Sequence, residues 1–140
     1  MTNSGQVTAV TIYRISGMED SATTQIVVSF GSDESSGGTK TSPGVTTTED
    51  NSLGIRHIFD HYKNQDYTEP SGETLVFEDP NASGTYWSQA GSSFEQVTAG
   101  ATGTADWTVG TTWHALYYFI TLGIAPEAAS GDTVELIIEQ

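Results

Sequence analysis

The sequence predicts an all-β fold, an antiparallel β-sandwich with jelly-roll or Greek-key connections. Segments rich in β-branched and aromatic residues recur along the 140-residue chain, and Gly, Pro and Asx turns separate them. Two connections, 31–44 and 62–72, are longer than a hairpin turn, which favours strands that cross between two sheets over a simple meander. The length is that of one domain, 1–140, and the lack of cysteine excludes a disulfide framework.

The first part of the chain contains two predicted strands. Residues 6–15 form the first, after a short polar arm, residues 1–5, that we expect to be flexible. Residues 24–30 form the second, which we expect to end at Gly31. The stretch 32–43 has no large apolar residue to anchor it, so it predicts an exposed loop.

One segment has the periodicity of a helix. In residues 52–62, the apolar side chains Ile55, Ile58, Phe59 and Tyr62 fall on one face at a spacing of 3.6 residues. The sequence therefore predicts one short helix inserted between strands.

The second half of the chain contains six more predicted strands. The segment 112–122 lacks polar alternation, which predicts either a central strand covered on both faces or a strand that faces the core on one side and a neighbouring subunit on the other. Turn residues separate the strands, among them Ala90-Gly91-Ser92. The strands are expected at 73–78, 85–89, 94–98, 105–109, 112–122 and 133–139.

The chain is strongly acidic. Asp and Glu number 18 against 4 Lys and Arg, which gives a formal net charge of −14. Such a chain is repelled by nucleic acid and anionic membranes, because neutralising phosphates takes clustered Lys and Arg. Scarce lysine together with many carboxylates is also the balance expected of a protein that works in concentrated salt, where screening is strong. We therefore expect a halophilic source, with neither nucleic acid nor a membrane as a partner.

Candidate metal ligands and catalytic groups are few. His57 and His61 have the i, i+4 spacing that places two imidazoles on one helix face, and Asp60 lies beside them. Both histidines fall opposite the apolar face, however, where an exposed polar face is the simpler interpretation. No nucleophile-elbow motif occurs, and no two carboxylates stand out as an acid and base pair. The sequence thus predicts no enzyme activity, no metal and no cofactor.

Aromatic side chains are the candidate contact residues. Tyr86, Trp87 and Trp107 lie in Gly- and Ser-rich surroundings, where an exposed ring would stack on a sugar or on a partner protein. Burial in the sandwich core is the alternative for each. Trp113 begins the apolar stretch that would supply the centre of a subunit contact.

As a whole, the chain resembles the small structural proteins of virions. It is cysteine-free, acidic and rich in Thr, Ser and Gly, and it ends in a strand-like segment, Gly131-Asp132-Thr133-Val134-Glu135-Leu136-Ile137-Ile138-Glu139-Gln140. Jelly-roll penton, minor capsid and decoration proteins share this style, and the acid balance is similar to that of viruses infecting halophilic archaea.

The resemblance implies a non-enzymatic structural role in a virus particle. The partners would be copies of the chain itself and other virion proteins, and assembly would take place in the host cytoplasm. The alternative is a sandwich module of the spike or adhesin type that binds carbohydrate or a host surface through its loop aromatics.

Overall fold

A computed structural model of the chain describes residues 11–16, 26–35, 38–61, 65–80, 87–110, 116–126 and 135–139. Every regular element in these ranges is a β-strand, so the predicted all-β fold is confirmed. The strands are β1 (Ile12–Ser16), β2 (Ile26–Asp33), β3 (Thr39–Ser42), β4 (Thr46–Thr47), β5 (Ser52–Asp60), β6 (Tyr67–Thr68), β7 (Thr74–Asp79), β8 (Ser88–Gln96), β9 (Gly100–Ala101), β10 (Ala105–Val109), β11 (Tyr117–Ile124) and β12 (Glu135–Glu139).

Two antiparallel sheets pack face to face. The larger has the order β2-β11-β5-β8-β7 and the smaller the order β3-β10-β6. Two further ribbons, β4-β9 and β1-β12, complete the described strands. Burial alternates along β10 and β11, as expected of strands with one face against the other sheet.

The pairing of the strands is nested. The first described strand pairs with the last, β2 with β11, β3 with β10, β4 with β9, and β5 with β8, all antiparallel. The chain is therefore one long hairpin that folds over on itself, which is the connectivity of a jelly roll. The predicted antiparallel β-sandwich is confirmed, and of the two predicted kinds of connection, jelly-roll or Greek-key, the nested pairing matches the jelly roll.

The predicted helix over 52–62 is wrong, because β5 occupies Ser52–Asp60. This strand lies between β11 and β8 and is covered on both faces, so seven of its nine residues are buried. Apolar residues on both faces of a strand can match a helical spacing by coincidence. The β-branched and aromatic content of Ile55, Ile58 and Phe59 is the signal that should have decided for a strand.

Two other expectations about local structure are also corrected. Strand β2 continues through Gly31 to Asp33, and the supposed loop at 32–43 contains β3. The expected turn at 90–92 lies within β8, which joins the strands predicted at 85–89 and 94–98. Small residues are needed there for space, since a Cβ atom on Gly91 would lie 2.3 Å from the Phe77 ring.

The core lies between the two sheets. Trp107 is fully buried at its centre, in edge contact with Tyr67 at 6.5 Å between ring centroids. The buried hydrophobic cluster consists of Ile58, Tyr67, Ala90, Trp107, Val109, Tyr117 and Phe119. These side chains come from both sheets, and their burial is the main favourable term holding the layers together.

One buried ion pair fastens the larger sheet to the surrounding loops. Arg56, on β5, donates from Nε to Glu73 Oε1 at 2.7 Å. The rest of its guanidinium donates to the carbonyl oxygens of Pro43, at 2.6 Å, and Gly103, at 3.0 Å. Ser92 donates to the other carboxylate oxygen of Glu73 at 2.6 Å. The cation is therefore hydrogen-bonded to three other segments of the chain, at Pro43, Glu73 and Gly103.

A second buried cation lies at the start of the smaller sheet. Lys40 Nζ lies 3.7 Å from Asp33 Oδ1 and 4.5 Å from the centre of the Tyr117 ring, and it also donates to the carbonyl oxygen of Ser35. Partial burial alone would raise the pKa of Asp33, but hydrogen bonds from Ser35 and the Lys40 charge lower it below the ordinary value. Two of the four Lys and Arg residues of the chain are thus buried, and each is paired with a carboxylate.

Candidate functional site: the outer face of the five-stranded sheet

The face of the larger sheet that points away from the core is unusually apolar. Register places Phe30 beside Ile120, and Val28 beside Leu122. Ile120 in turn lies beside His57, and Leu122 beside Ile55. Because side chains alternate along a strand, these residues share the outer face, while Arg56 and Thr121 point inward. An outer face of an antiparallel sheet is normally polar.

Strand β1 lies over one part of this face. The Tyr13 ring contacts the His57 ring edge-on at 5.8 Å between centroids and the Phe77 ring at 6.1 Å. Thr11 Oγ1, just before β1, donates to Gln89 Oε1 at 2.7 Å. Strand β1 and the residue before it therefore rest on β5, β7 and β8.

A cavity of about 640 Å³ lies on the outer face beside β1. Volumes of this size are typical of small-molecule sites. Its floor is aliphatic and its walls are largely aromatic, and no charged side chain lines it within the described chain. The lining residues are Thr11, Tyr13, Val28, Phe30, Ile55, His57, Phe59, Trp87, Gln89, Ile120 and Leu122.

The polar groups of the cavity lie on one side. His57 Nε2 is 3.2 Å from Gln89 Oε1, the same oxygen that accepts from Thr11. Burial lowers the pKa of His57 to about 4, although the Gln89 contact opposes the shift, so the imidazole is neutral at pH 7. The Tyr13 hydroxyl is buried and has no hydrogen-bond partner among the described residues. Burial also raises the pKa of Tyr13, which keeps the hydroxyl a donor.

A strip of exposed apolar side chains runs along β2 and β11 on the outer face. Phe30 is 71% exposed, and Ile26, Val28 and Tyr118 are also exposed. We call these four residues the apolar strip. Strand β2 is at the edge of the sheet, and an open groove of about 500 Å³ lies beside it, lined by uncharged residues at 27–29, 44–46, 101 and 103–104. Three of the four strip residues thus lie on β2, which is the end strand of this sheet among the described residues.

The candidate metal ligands do not meet. His57 and Asp60 point to opposite faces of β5, and His57 is buried while His61 is exposed. On a strand, residues four apart are about 13 Å apart, whereas on a helix they are neighbours. Among the described residues, no group of three or more His, Cys, Asp or Glu side chains could hold a metal.

The aromatic residues that the sequence suggested as contact residues do not lie together on one surface. Trp87 is half-buried in the cavity wall, with its ring 5.0 Å from that of His61. Trp107 is fully buried in the core, so its ring cannot stack on a sugar or a partner in the folded domain. Tyr86 and Trp113 lie outside the described residues, as does the expected arm at 1–5.

Sequence reasoning missed most of the outer face. Tyr13, Phe30, Gln89 and Ile120 were assigned only to strands, without a role at a site. Part of the outer face was predicted, since the lack of polar alternation in 112–122 indicates a strand with two apolar faces, and β11 (Tyr117–Ile124) overlaps this segment. The cavity itself depends on where β1 crosses the sheet, which no local pattern specifies.

Comparisons with protein families, curated proteins and solved structures found no match to this chain. Within the described ranges, no helix has the length and apolar character needed to cross a bilayer.

Proposed function

We propose that this protein is a non-enzymatic structural subunit that associates with copies of itself as part of a virus particle. The observation that carries the proposal is the apolar strip on an edge strand. Ile26, Val28 and Phe30 point outward from β2, which has a charged residue only at its last position, Asp33. Edge strands in soluble proteins are usually protected by charge, proline or cover.

A second copy of the chain is the occupant that best fits this strip. Two copies related by a twofold axis can pack the outer faces of β2 and β11 against each other, so that each apolar strip covers the other. The body of each copy is acidic, with a net charge of −14, and copies therefore repel each other over most of their surface. At the strip and the groove beside it, however, uncharged residues meet uncharged residues.

The size of the strip suits the centre of an interface. Its four side chains together expose on the order of 400 Å², given the usual areas of such residues. A stable interface buries about 800 Å² on each partner, with an apolar centre and a polar rim. The strip would supply the centre, and the edge of β2 with the neighbouring groove would supply hydrogen bonds and the rim.

The assignment to a virus particle rests on two supports. One is the jelly-roll connectivity, which is widespread in capsid proteins. The other is the resemblance of the sequence to small virion structural proteins. The proposed site of assembly is the host cytoplasm, and the proposed partners are sister subunits and other virion proteins. The genes on either side of this one test this part, because virion genes cluster with portal and major capsid genes.

Light scattering coupled to size exclusion tests the self-association, at 0.15 M and 2 M KCl. We expect a defined oligomer that is favoured by salt, and we expect Phe30→Glu to be monomeric under both conditions. Val97→Glu is the matched control, since Val97 is exposed but lies outside the strip, and it should associate like the wild type. A wild-type monomer at both salt concentrations, or an undiminished oligomer of Phe30→Glu, would refute the proposal.

The alternative, a carbohydrate-binding module, has one supporting observation, which is that Trp87 lines the cavity. Against it, Trp107 is buried, and the polar groups that line the cavity lie on one side only. Binding on a glycan array that is lost in Trp87→Ala would favour this alternative.

A further inference from the structure

We propose that the cavity on the outer face binds a neutral, mostly apolar molecule with one hydrogen-bonding end, of the class of a medium-chain alcohol. This inference goes beyond the proposed function. The cavity shares Val28 and Phe30 with the apolar strip, so the inference concerns a single copy of the chain and is tested on the monomer.

The floor and walls determine the apolar part of the ligand. Ile55, Ile120 and Leu122 form a continuous floor, since Leu122 lies beside Ile55 and Ile120 follows on the same face of β11. Phe59 and Trp87 stand at the wall. Water in such a space would contact mainly carbon, so an alkyl or ring group gains free energy by replacing it, at about 25 cal/mol for each Å² of apolar area buried.

The polar side determines the other end of the ligand. Thr11, His57 and Gln89 are joined by hydrogen bonds at one wall, through the single oxygen Gln89 Oε1. A ligand hydroxyl at this wall can hydrogen-bond to the Gln89 amide or to the His57 imidazole, both of which line the cavity. The Tyr13 hydroxyl is buried next to Gly91 and takes no part in this contact.

The electrostatics exclude a charged ligand. No described residue in the lining carries a charge, and the imidazole of His57 is neutral at pH 7. A carboxylate in this cavity would be desolvated without a counter-ion and would be repelled by a chain of net charge −14. A cation would lack a buried carboxylate to pair with, since none lines the cavity within the described residues.

The distribution of polar groups also argues against a sugar. Hydroxyl groups surround a saccharide ring, and each one that is buried needs a partner. The wall formed by Val28 and Phe30 offers only carbon side chains, as does Ile120 on the floor. A molecule with a single polar end leaves no group unpaired there.

The test is calorimetric titration with 1-decanol, sodium decanoate and methyl glucoside at pH 7.5, at a protein concentration where light scattering shows a monomer. We expect saturable binding of decanol, with decanoate at least tenfold weaker and methyl glucoside without detectable binding. Ile120→Trp, which fills the cavity, should weaken decanol binding at least tenfold. Val97→Trp adds the same ring to an exposed site elsewhere and should leave it unchanged.

A second variant keeps the test decisive if Ile120→Trp fails to fold. Gln89→Leu removes the polar end of the site, and we expect it to weaken decanol several-fold while circular dichroism stays unchanged. The proposal is overturned if decanol fails to saturate, if decanoate binds as tightly as decanol, if methyl glucoside is the better ligand, or if both cavity variants bind decanol like the wild type. All four outcomes are measured on the monomer, and self-association is measured by light scattering, so a failure of one proposal can be distinguished from a failure of the other.

Discussion

At the scale of single residues, two cations, Lys40 and Arg56, are buried in the fold, and each is paired with a carboxylate. Arg56 is buried on β5 and is paired with Glu73, whose other oxygen accepts from Ser92. Such a pair contributes little when complete, because desolvation offsets its attraction, but losing one partner leaves an uncompensated charge. Arg56 therefore depends on its partner more than a surface arginine would.

We expect Glu73→Ala to lower the free energy of unfolding by about 3–5 kcal/mol, because Arg56 would remain buried without a counter-ion. Urea denaturation measures the change. The double variant Arg56→Leu/Glu73→Leu removes both charges and should lose clearly less than the sum of the two single variants. Additive losses would show that the two residues act independently.

His57 makes the fold sensitive to acid. Its pKa falls from 6.5 in the unfolded chain to about 4 in the folded protein, because burial disfavours the charged imidazole. Below pH 6.5 the unfolded state therefore takes up a proton that the folded state does not. The resulting loss of stability grows as pH falls and reaches about 3 kcal/mol near pH 4.

The comparison that isolates this effect is between the wild type and His57→Leu. From pH 7 to pH 4, we expect the free energy of unfolding of the wild type to fall by about 3 kcal/mol relative to the variant. The variant serves as the reference because both proteins share every carboxylate. Parallel pH profiles of the two proteins would contradict the assignment.

At the scale of elements, the sequence predicted a strand correctly where its residues followed a single hydrophobic period. It failed where contacts with other strands determined the local structure. The strand at 105–109 was placed at the bounds observed for β10. The helix at 52–62 was wrong because β5 is covered on both faces, so its apolar pattern has no single period. At 90–92, turn-forming residues serve instead to make room for neighbouring rings.

Gly54 on β5 shows the same use of a small residue. An added Cβ would lie 2.1 Å from Cζ of Phe94, whose ring also lies 4.9 Å from the guanidinium carbon of Arg56. We expect Gly54→Ala to cost about 1–3 kcal/mol of stability through overpacking, measured by thermal unfolding. Gly38→Ala is the control, because its added Cβ would lie 3.6 Å from the carbonyl oxygen of Val109, which is an ordinary contact. An equal effect of the two substitutions would mean that contact with Phe94 is not the cause.

At the scale of the whole molecule, the nested pairing is what the sequence could not specify. The class of fold followed from strand content and turn spacing, but Ile12 pairs with Glu139 across nearly the entire chain, and no local pattern encodes such a partner. The outer face depends on this pairing, because β1 reaches β5 and β8 only as part of the β1-β12 ribbon. The cavity could therefore not be predicted, although several of its apolar residues lie in predicted strands.

The surface charge of the whole molecule predicts how stability responds to salt. Two of the four cationic residues, Lys40 and Arg56, pair with carboxylates inside the fold, where added ions screen little. The remaining carboxylates far outnumber the remaining cations, so screening mainly removes repulsion. We expect the melting temperature to rise by about 5 °C or more between 0.1 and 2 M KCl.

The control for this experiment is a variant with fewer exposed charges. Glu34→Gln/Glu49→Gln/Glu95→Gln changes three exposed side chains, so it should melt higher than the wild type at 0.1 M KCl and gain less from added salt. The difference between the two proteins should shrink as salt rises, because screening and neutralisation relieve the same repulsion. A wild-type melting temperature that stays flat or falls would contradict adaptation to high salt, and it would also remove the reason to expect salt to favour contact between copies.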